Sequence, residues 1–161
     1  ELWAPSAIPL PHGSTVPHAM TQKDLTEMID SYHRAVDLLM EAEFDGIEVY
    51  MAHGYLLGSF LSRQSNQRTD TYGGSLENRV RFPSEVAQTI REAVGPDTPI
   101  GIRISAEEFS GPEGLTLNES ARIVAMLMAQ PRRQVERLTG ESLPPHLMPF
   151  VADQGGVWWP R

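Results

Sequence analysis

Two short apolar runs, Ile47 to Met51 and Pro99 to Ser105, each lie between segments of helical spacing, and this alternation constrains the fold more than any other feature. Thr21 offers a cap with Asp24 three residues on. Leu25, Met28, Ile29, Tyr32, Val36 and Leu39 then recur on one face, predicting a helix from about Gln22 to Ala42. After the Asp45-Gly46 break, Ile47 to Met51 reads as a buried parallel strand. Asn66 to Gly74 is a polar loop, and Ser75 caps a second helix that buries Leu76, Val86, Ile90 and Val94 before Gly95-Pro96 stops it. Pro83 lies inside that helix and removes a backbone donor. Pro99 to Ser105 is the second strand, and Thr116 with Glu119 forms a capping box for a third helix with Ala121, Val124, Leu127 and Met128 inward. Helix, strand, helix, strand, helix with short connections implies parallel strands joined by right-handed crossovers. Spacing alone fits both an open doubly wound sheet and a barrel segment.

The flanks carry less pattern. Pro5, Pro9, Pro11, Gly13 and Pro17 break Glu1 to Met20 so often that a long loop without paired strands is expected. Gln130-Pro131 is expected to end the third helix. The residues 131–161 hold Pro144, Pro145, Pro149 and Pro160 without a further apolar strand, so they read as an irregular or disordered tail, foreign to the fold. On that reading Trp158-Trp159 is no stacking platform. The domain division expected is therefore 1–130 and 131–161.

The 161 residues suffice for one domain but fall short of the roughly 250 of a closed eight-stranded α/β barrel. A net charge of -8 argues against a nucleic-acid or anionic-membrane surface, since both are bound through clustered Lys and Arg. A small-molecule partner is expected instead. With no cysteine, the chain forms no disulfide, thiolate zinc site or Cys-ligated cluster, and a cytoplasmic location is the default. No apolar run approaches the roughly 20 residues of a membrane span. Glu1 opens on Leu-Trp-Ala-Pro, not on a signal sequence, and reads as a cut edge.

Candidate chemistry gathers where the first strand ends. Tyr50, His53 and Tyr55 fall within six residues there, with Gly54 allowing a sharp turn, so a phenol and an imidazole can hydrogen-bond a substrate or pass protons. Equally, aromatics at a strand end can be packing residues. Arg103 interrupts the apolar run Ile100 to Ile104, where an unpaired guanidinium is costly to bury. Its partner is either Glu48 on the neighbouring strand or an anionic or electron-rich ligand. The run Arg68-Thr69-Asp70-Thr71-Tyr72-Gly73-Gly74 lacks the spacing of a phosphate cradle and reads as a rigid shelf beside the strand end. His12, His18, His33 and His146 show no metal-ligand spacing, so no metal site is expected.

DGIEVYMAHGYLLGSFLS, followed by Asn66, Gln67 and RTDTYGGSLENRVRF and then PIGIRIS, closely resembles the old yellow enzyme family of FMN-dependent oxidoreductases. The resemblance covers roughly Ala4 to Gln130, with APSAIP similar to the family's loop after the third barrel strand. It implies an α/β fold that is part of a TIM (β/α)8 barrel, about strands four and five with helices three to five. It also implies FMN as cofactor and NAD(P)H as a possible reductant. Carried onto matching positions, it implies that Tyr55 donates a proton to an alkene carbon, His53 hydrogen-bonds the substrate, and Arg103 contacts the flavin ring.

Tyr50 departs from most alkene reductases, which carry His at that position. Tyr50 followed by His53 is similar to the amine-dehydrogenase branch, where a tyrosine ring can face a substrate cation. The family's flavin-phosphate site comes from strands that the resemblance does not cover. The expected function is an FMN-dependent oxidoreductase, of ene-reductase or amine-dehydrogenase type, present as a fragment; the alternative is a non-catalytic remnant unable to bind FMN alone.

Overall fold

The computed structural model describes residues 1–9, 15–139, 150–151 and 156–158, with side chains as far as Ala129. In chain order the elements are β1 (Trp3–Ala4), β2 (His18–Ala19), α1 (Gln22–Glu41), β3 (Ile47–Met51), α2 (Leu56–Leu61), α3 (Leu76–Val94), β4 (Ile100–Ile104), α4 (Leu117–Thr139), β5 (Phe150–Val151) and β6 (Gly156–Trp158). The fold class is α/β, as the alternation of strand and helix requires.

β3 and β4 pair in parallel with Ile47 opposite Ile100, Tyr50 opposite Arg103 and Met51 opposite Ile104. Ile47, Val49 and Met51 on one strand, and Ile100, Ile102 and Ile104 on the other, point into the core with Leu25, Val36, Phe60, Val80, Phe82, Val86, Ile90 and Ile123. The strands are not buried on both faces, contrary to the sequence expectation. Glu48 and Arg103 are half-buried and Tyr50 is 39% exposed, so the face turned from the core is polar and open. Alternation rather than a continuous apolar run is the signature of a strand covered on one side only.

The caps act as the sequence indicates. Thr21 and Asp24 form a full capping box at α1: the Asp24 carboxylate accepts from the Thr21 amide at 2.7 Å, while the Thr21 hydroxyl accepts from the Asp24 amide at 3.3 Å. The Thr21 backbone hydrogen bond, then those of the His18 ring and the Thr21 hydroxyl, lower the Asp24 pKa from 3.8 to about 2. A carboxylate depressed in the folded state stabilises above its unfolded pKa, and that contribution is lost as pH falls through the folded value. Acid titration of the folded chain should therefore show destabilisation between about pH 4 and 2 that Asp24→Asn removes. An unchanged acid limb in that variant, followed by circular dichroism, would contradict the assignment.

Ser75 accepts from the Asn78 amide at 3.2 Å to open α3, and Gly95 closes it with φ 74°. Pro83 lies within α3 and is fully buried, so the burial of its ring offsets the missing donor. Thr116 and Glu119 exchange cap hydrogen bonds at α4, both at 3.3 Å.

Local expectations are corrected at five places. Trp3–Ala4 and His18–Ala19 do pair, in parallel, because the intervening prolines fall outside the two-residue match. α2 was not anticipated, since six residues are too few to show a helical period. In α4 Leu127 is buried and Val124 packs against the core as expected, but Ser120 and Ile123 are the other buried positions and Ala121 is exposed. α4 also runs through Pro131 to Thr139 instead of stopping at Gln130, a case of helix context overriding local propensity. Beyond it, Phe150–Val151 and Gly156–Trp158 form an antiparallel pair, and the second of these joins the free edge of β4. These aromatic and β-branched residues suit a strand despite the surrounding prolines. Pro144, Pro145, Pro149, Trp159 and Pro160 lie outside the described residues, as do His12 and His146.

Candidate active site

The C-terminal ends of β3 and β4 bring together all four residues that the sequence singled out. Tyr50 is on β3 and Arg103 is directly opposite it on β4, with the guanidinium carbon 6.0 Å from the centre of the Tyr50 ring. The chain then turns through His53 at φ 55° and Gly54 at φ 72°, both left-handed, and enters α2 at Tyr55. Left-handed geometry is ordinary for glycine and uncommon for histidine. The turn folds the His53 ring back onto its own strand, where Nδ1 hydrogen-bonds the Tyr50 hydroxyl. Tyr55 also meets Tyr50 edge to face, with ring centres 5.3 Å apart at 77°. Tyr50 is thus the hub of a three-ring cluster.

Tyr55 is the N-cap of α2 but makes no side-chain cap, and its ring is 65% exposed. Its hydroxyl has no hydrogen-bond partner among the described residues and is free for a ligand. α2 itself is seated tightly. A Cβ at Gly58 would lie 3.1 Å from the carbonyl of Met51, so glycine lets this helix approach the end of β3 and fixes where Tyr55 emerges.

Arg103 is less buried than its apolar neighbours suggest: its side chain is 35% exposed, because the register puts it on the open face with Tyr50. Glu48, two residues before Tyr50, accepts from Nε at 2.8 Å and from Nη2 at 3.2 Å. That bidentate hydrogen bond, then the charge of Glu48, raises the Arg103 pKa, so the guanidinium stays cationic. Nη1 makes no hydrogen bond among the described residues. Both partners that the sequence offers are compatible: Glu48 orients the fork through two N–H groups, and the Nη1 end has no partner among the described residues.

The loop from Asn66 to Gly74 is the shelf that its composition predicts. Buried Asn66 donates to the Phe60 and Tyr72 carbonyls, each at 2.8 Å. Arg68 grips Asp70 through Nε at 3.0 Å and reaches the Pro5 and Met20 carbonyls at 3.0 and 2.5 Å. The Arg68 hydrogen bond holds the Asp70 carboxyl below its usual range. A Cβ at Gly73 would fall 2.2 Å from the Arg68 carbonyl oxygen, so this glycine admits a crossing backbone and not a phosphate.

Two supporting residues, Arg79 and Ser105, were not found from the sequence, which reads Glu119 only as a helix cap. Arg79 is 1% exposed and donates to the Leu61 and Gly74 carbonyls and to Glu119 at 2.7 Å. Glu119 also takes Arg63 at 2.8 Å, so it ties the end of α2 to α3 and α4. Burial pushes the Glu119 carboxyl up, but the Arg79 hydrogen bond and the neighbouring charges outweigh it and hold the group below its usual range. Ser105, just after β4, accepts from the His53 amide at 3.1 Å. Serine directly after a strand that carries a candidate arginine was the available signal.

The NADH:flavin oxidoreductase / NADH oxidase family profile matches residues 4–143, which takes in all of these positions. The chain belongs to this family. The match runs past Gln130, where the motif resemblance stops. Over 154 residues the chain is 42% identical to an NADH oxidase of Thermoanaerobacter brockii, covering 94% of this chain and 24% of that protein. Among solved structures, it is similar to a 2-naphthoyl-CoA reductase bound to 2-naphthoyl-CoA, with TM-score 0.75 and 35% identity over 80% of this chain and 19% of that one. It is also similar to histamine dehydrogenase from Rhizobium sp. 4-9, with TM-score 0.73 and 40% identity over 78% of this chain and 19% of that one. This family member therefore spans a minor part of the length of each of these relatives.

Proposed function

We propose that the chain forms the substrate-facing wall of an FMN-dependent oxidoreductase, with β3 and β4 as the fourth and fifth staves of an α/β barrel. One observation carries this reading: Tyr50, His53, Tyr55 and Arg103 converge at the C-terminal ends of two parallel strands, on the face that the core leaves open. Membership of an NADH:flavin oxidoreductase family supports it.

The residues present fit the ring of a flavin but not its phosphate. Arg103 offers a fixed cation, its Nη1 end unpaired among the described residues, beside an aromatic face, which suits an electron-rich planar group that gains negative charge on reduction. The Gly-rich loop is filled by its own backbone and holds no phosphate cradle. Bound FMN supplies hydride acceptance and donation, with NAD(P)H as a possible reductant. The chain's own residues do the rest. His53 and Tyr50 orient a small substrate through the ring nitrogen and hydroxyl that remain available, and Tyr55 holds a proton at an exposed phenol oxygen.

Tyr50 in place of the histidine carried by most alkene reductases supports an amine substrate beside an alkene, since a tyrosine ring can face a substrate cation. The 40% identity to a histamine dehydrogenase points the same way. A second reading rests on the 24% share of the NADH oxidase's length: by itself the chain is a non-catalytic remnant that holds no FMN. Flavin absorbance after FMN addition and desalting separates the two. One FMN retained per chain, and bleached by NADH or NADPH, supports a catalytic chain, while no retained flavin refutes autonomous catalysis and leaves the remnant reading.

A further inference from the structure

We infer that Ser105 is a positioning residue for His53, an inference that rests on reading Tyr50 and His53 as the substrate wall. His53 occupies the left-handed region at φ 55° without the freedom of glycine, and a non-glycine residue stays there only where its surroundings over-determine it. Two hydrogen bonds supply that constraint. The His53 amide donates across the strand gap to the Ser105 hydroxyl at 3.1 Å, and the His53 ring binds the Tyr50 hydroxyl on its own strand. The turn that carries them is closed by the Tyr55 amide on the Ala52 carbonyl at 3.2 Å.

The Tyr50 bond alone does not fix the imidazole. It joins two groups three residues apart on one strand end, and a relaxed turn would swing the ring away from Tyr50. Ser105 directly follows the end of the other strand, after Ile104, whose pairing with Met51 holds the two strand ends in register. Its hydroxyl therefore ties the His53 backbone to a fixed frame. While that tie holds, one imidazole nitrogen is committed to Tyr50 and the other faces outward in a single tautomer. Serine suits the place because its hydroxyl accepts from the amide and keeps its own proton.

The test is long-range proton–nitrogen NMR of the full chain labelled at histidine, comparing the parent with Ser105→Ala, Ser105→Thr and Tyr50→Phe. The parent should show one His53 tautomer, with Nδ1 shifted by its hydrogen bond. Ser105→Ala should average the two tautomers and speed His53 amide exchange by about fivefold, the equivalent of one net hydrogen bond. Ser105→Thr should restore both signals. Unchanged His53 nitrogen shifts in Ser105→Ala, when Tyr50→Phe moves them, would overturn the inference. Loss of folding in both Ser105 variants would also overturn it, as a general structural role. None of these readouts needs flavin, so a failure to bind FMN counts against the proposed function and leaves this inference standing.

Discussion

Glu119→Ala should cost the fold about 3–5 kcal/mol, because it leaves the guanidinium of Arg79 buried without its counter-charge. That is a large share of the roughly 5–15 kcal/mol that holds a typical domain together. Arg79 cannot turn to water: it is 1% exposed and pinned by the Leu61 and Gly74 carbonyls. The same substitution frees Arg63 from its 2.8 Å partner and removes the α4 capping box. Three losses thus fall on one carboxylate. Glu119→Gln keeps the shape and part of the hydrogen bonding, so its cost should be smaller. Glu77→Ala is the control, since its pair with Arg122 at 3.2 Å is exposed on both sides and is worth at most about 1 kcal/mol. Urea unfolding of the three variants decides the matter. If Glu119→Ala costs no more than Glu77→Ala, the buried network does not hold the helices.

The second large effect concerns chemistry. In a flavin-loaded enzyme carrying this segment, Tyr55→Phe should slow alkene reduction by about 10²–10⁴-fold while sparing flavin reduction by NAD(P)H. The substitution is clean. Phenylalanine retains the ring that meets Tyr50 edge to face at 5.3 Å, and tyrosine makes no side-chain cap at α2 for the change to remove. Only the solvent-facing hydroxyl is lost. Rapid-mixing measurements that separate the two half-reactions provide the readout. Equal loss in both would remove the proton-donor role.

Much of this site was legible because its signals are local. A cap at Thr21 or Ser75, a β-branched run at Ile47 and a stop at Gly95 are each written within a few residues, and the structure places those elements accordingly. The four candidate residues also meet at one place, since strand ends are set by the strands themselves. What escaped the sequence is long-range. Nothing near Arg79 announces that Glu119, forty positions away, will be its partner. The half-exposure of Arg103 follows from strand register, and its apolar neighbours suggest the opposite. α2 is too short to declare a period, and α4 crosses Pro131 because the flanking turns outweigh one missing donor.

The pairing of Tyr50 with Arg103 has a bearing on how such a chain can evolve. Side chains on a strand alternate faces, so gaining or losing one residue between Gly46 and Met51 would turn Glu48 and Tyr50 inward and two core residues outward. Single substitutions can retune this wall one contact at a time. Changes of length inside β3 cannot, and the turn after it carries His53 itself, so an added residue leaves the ring cluster in place only in the turn before the strand.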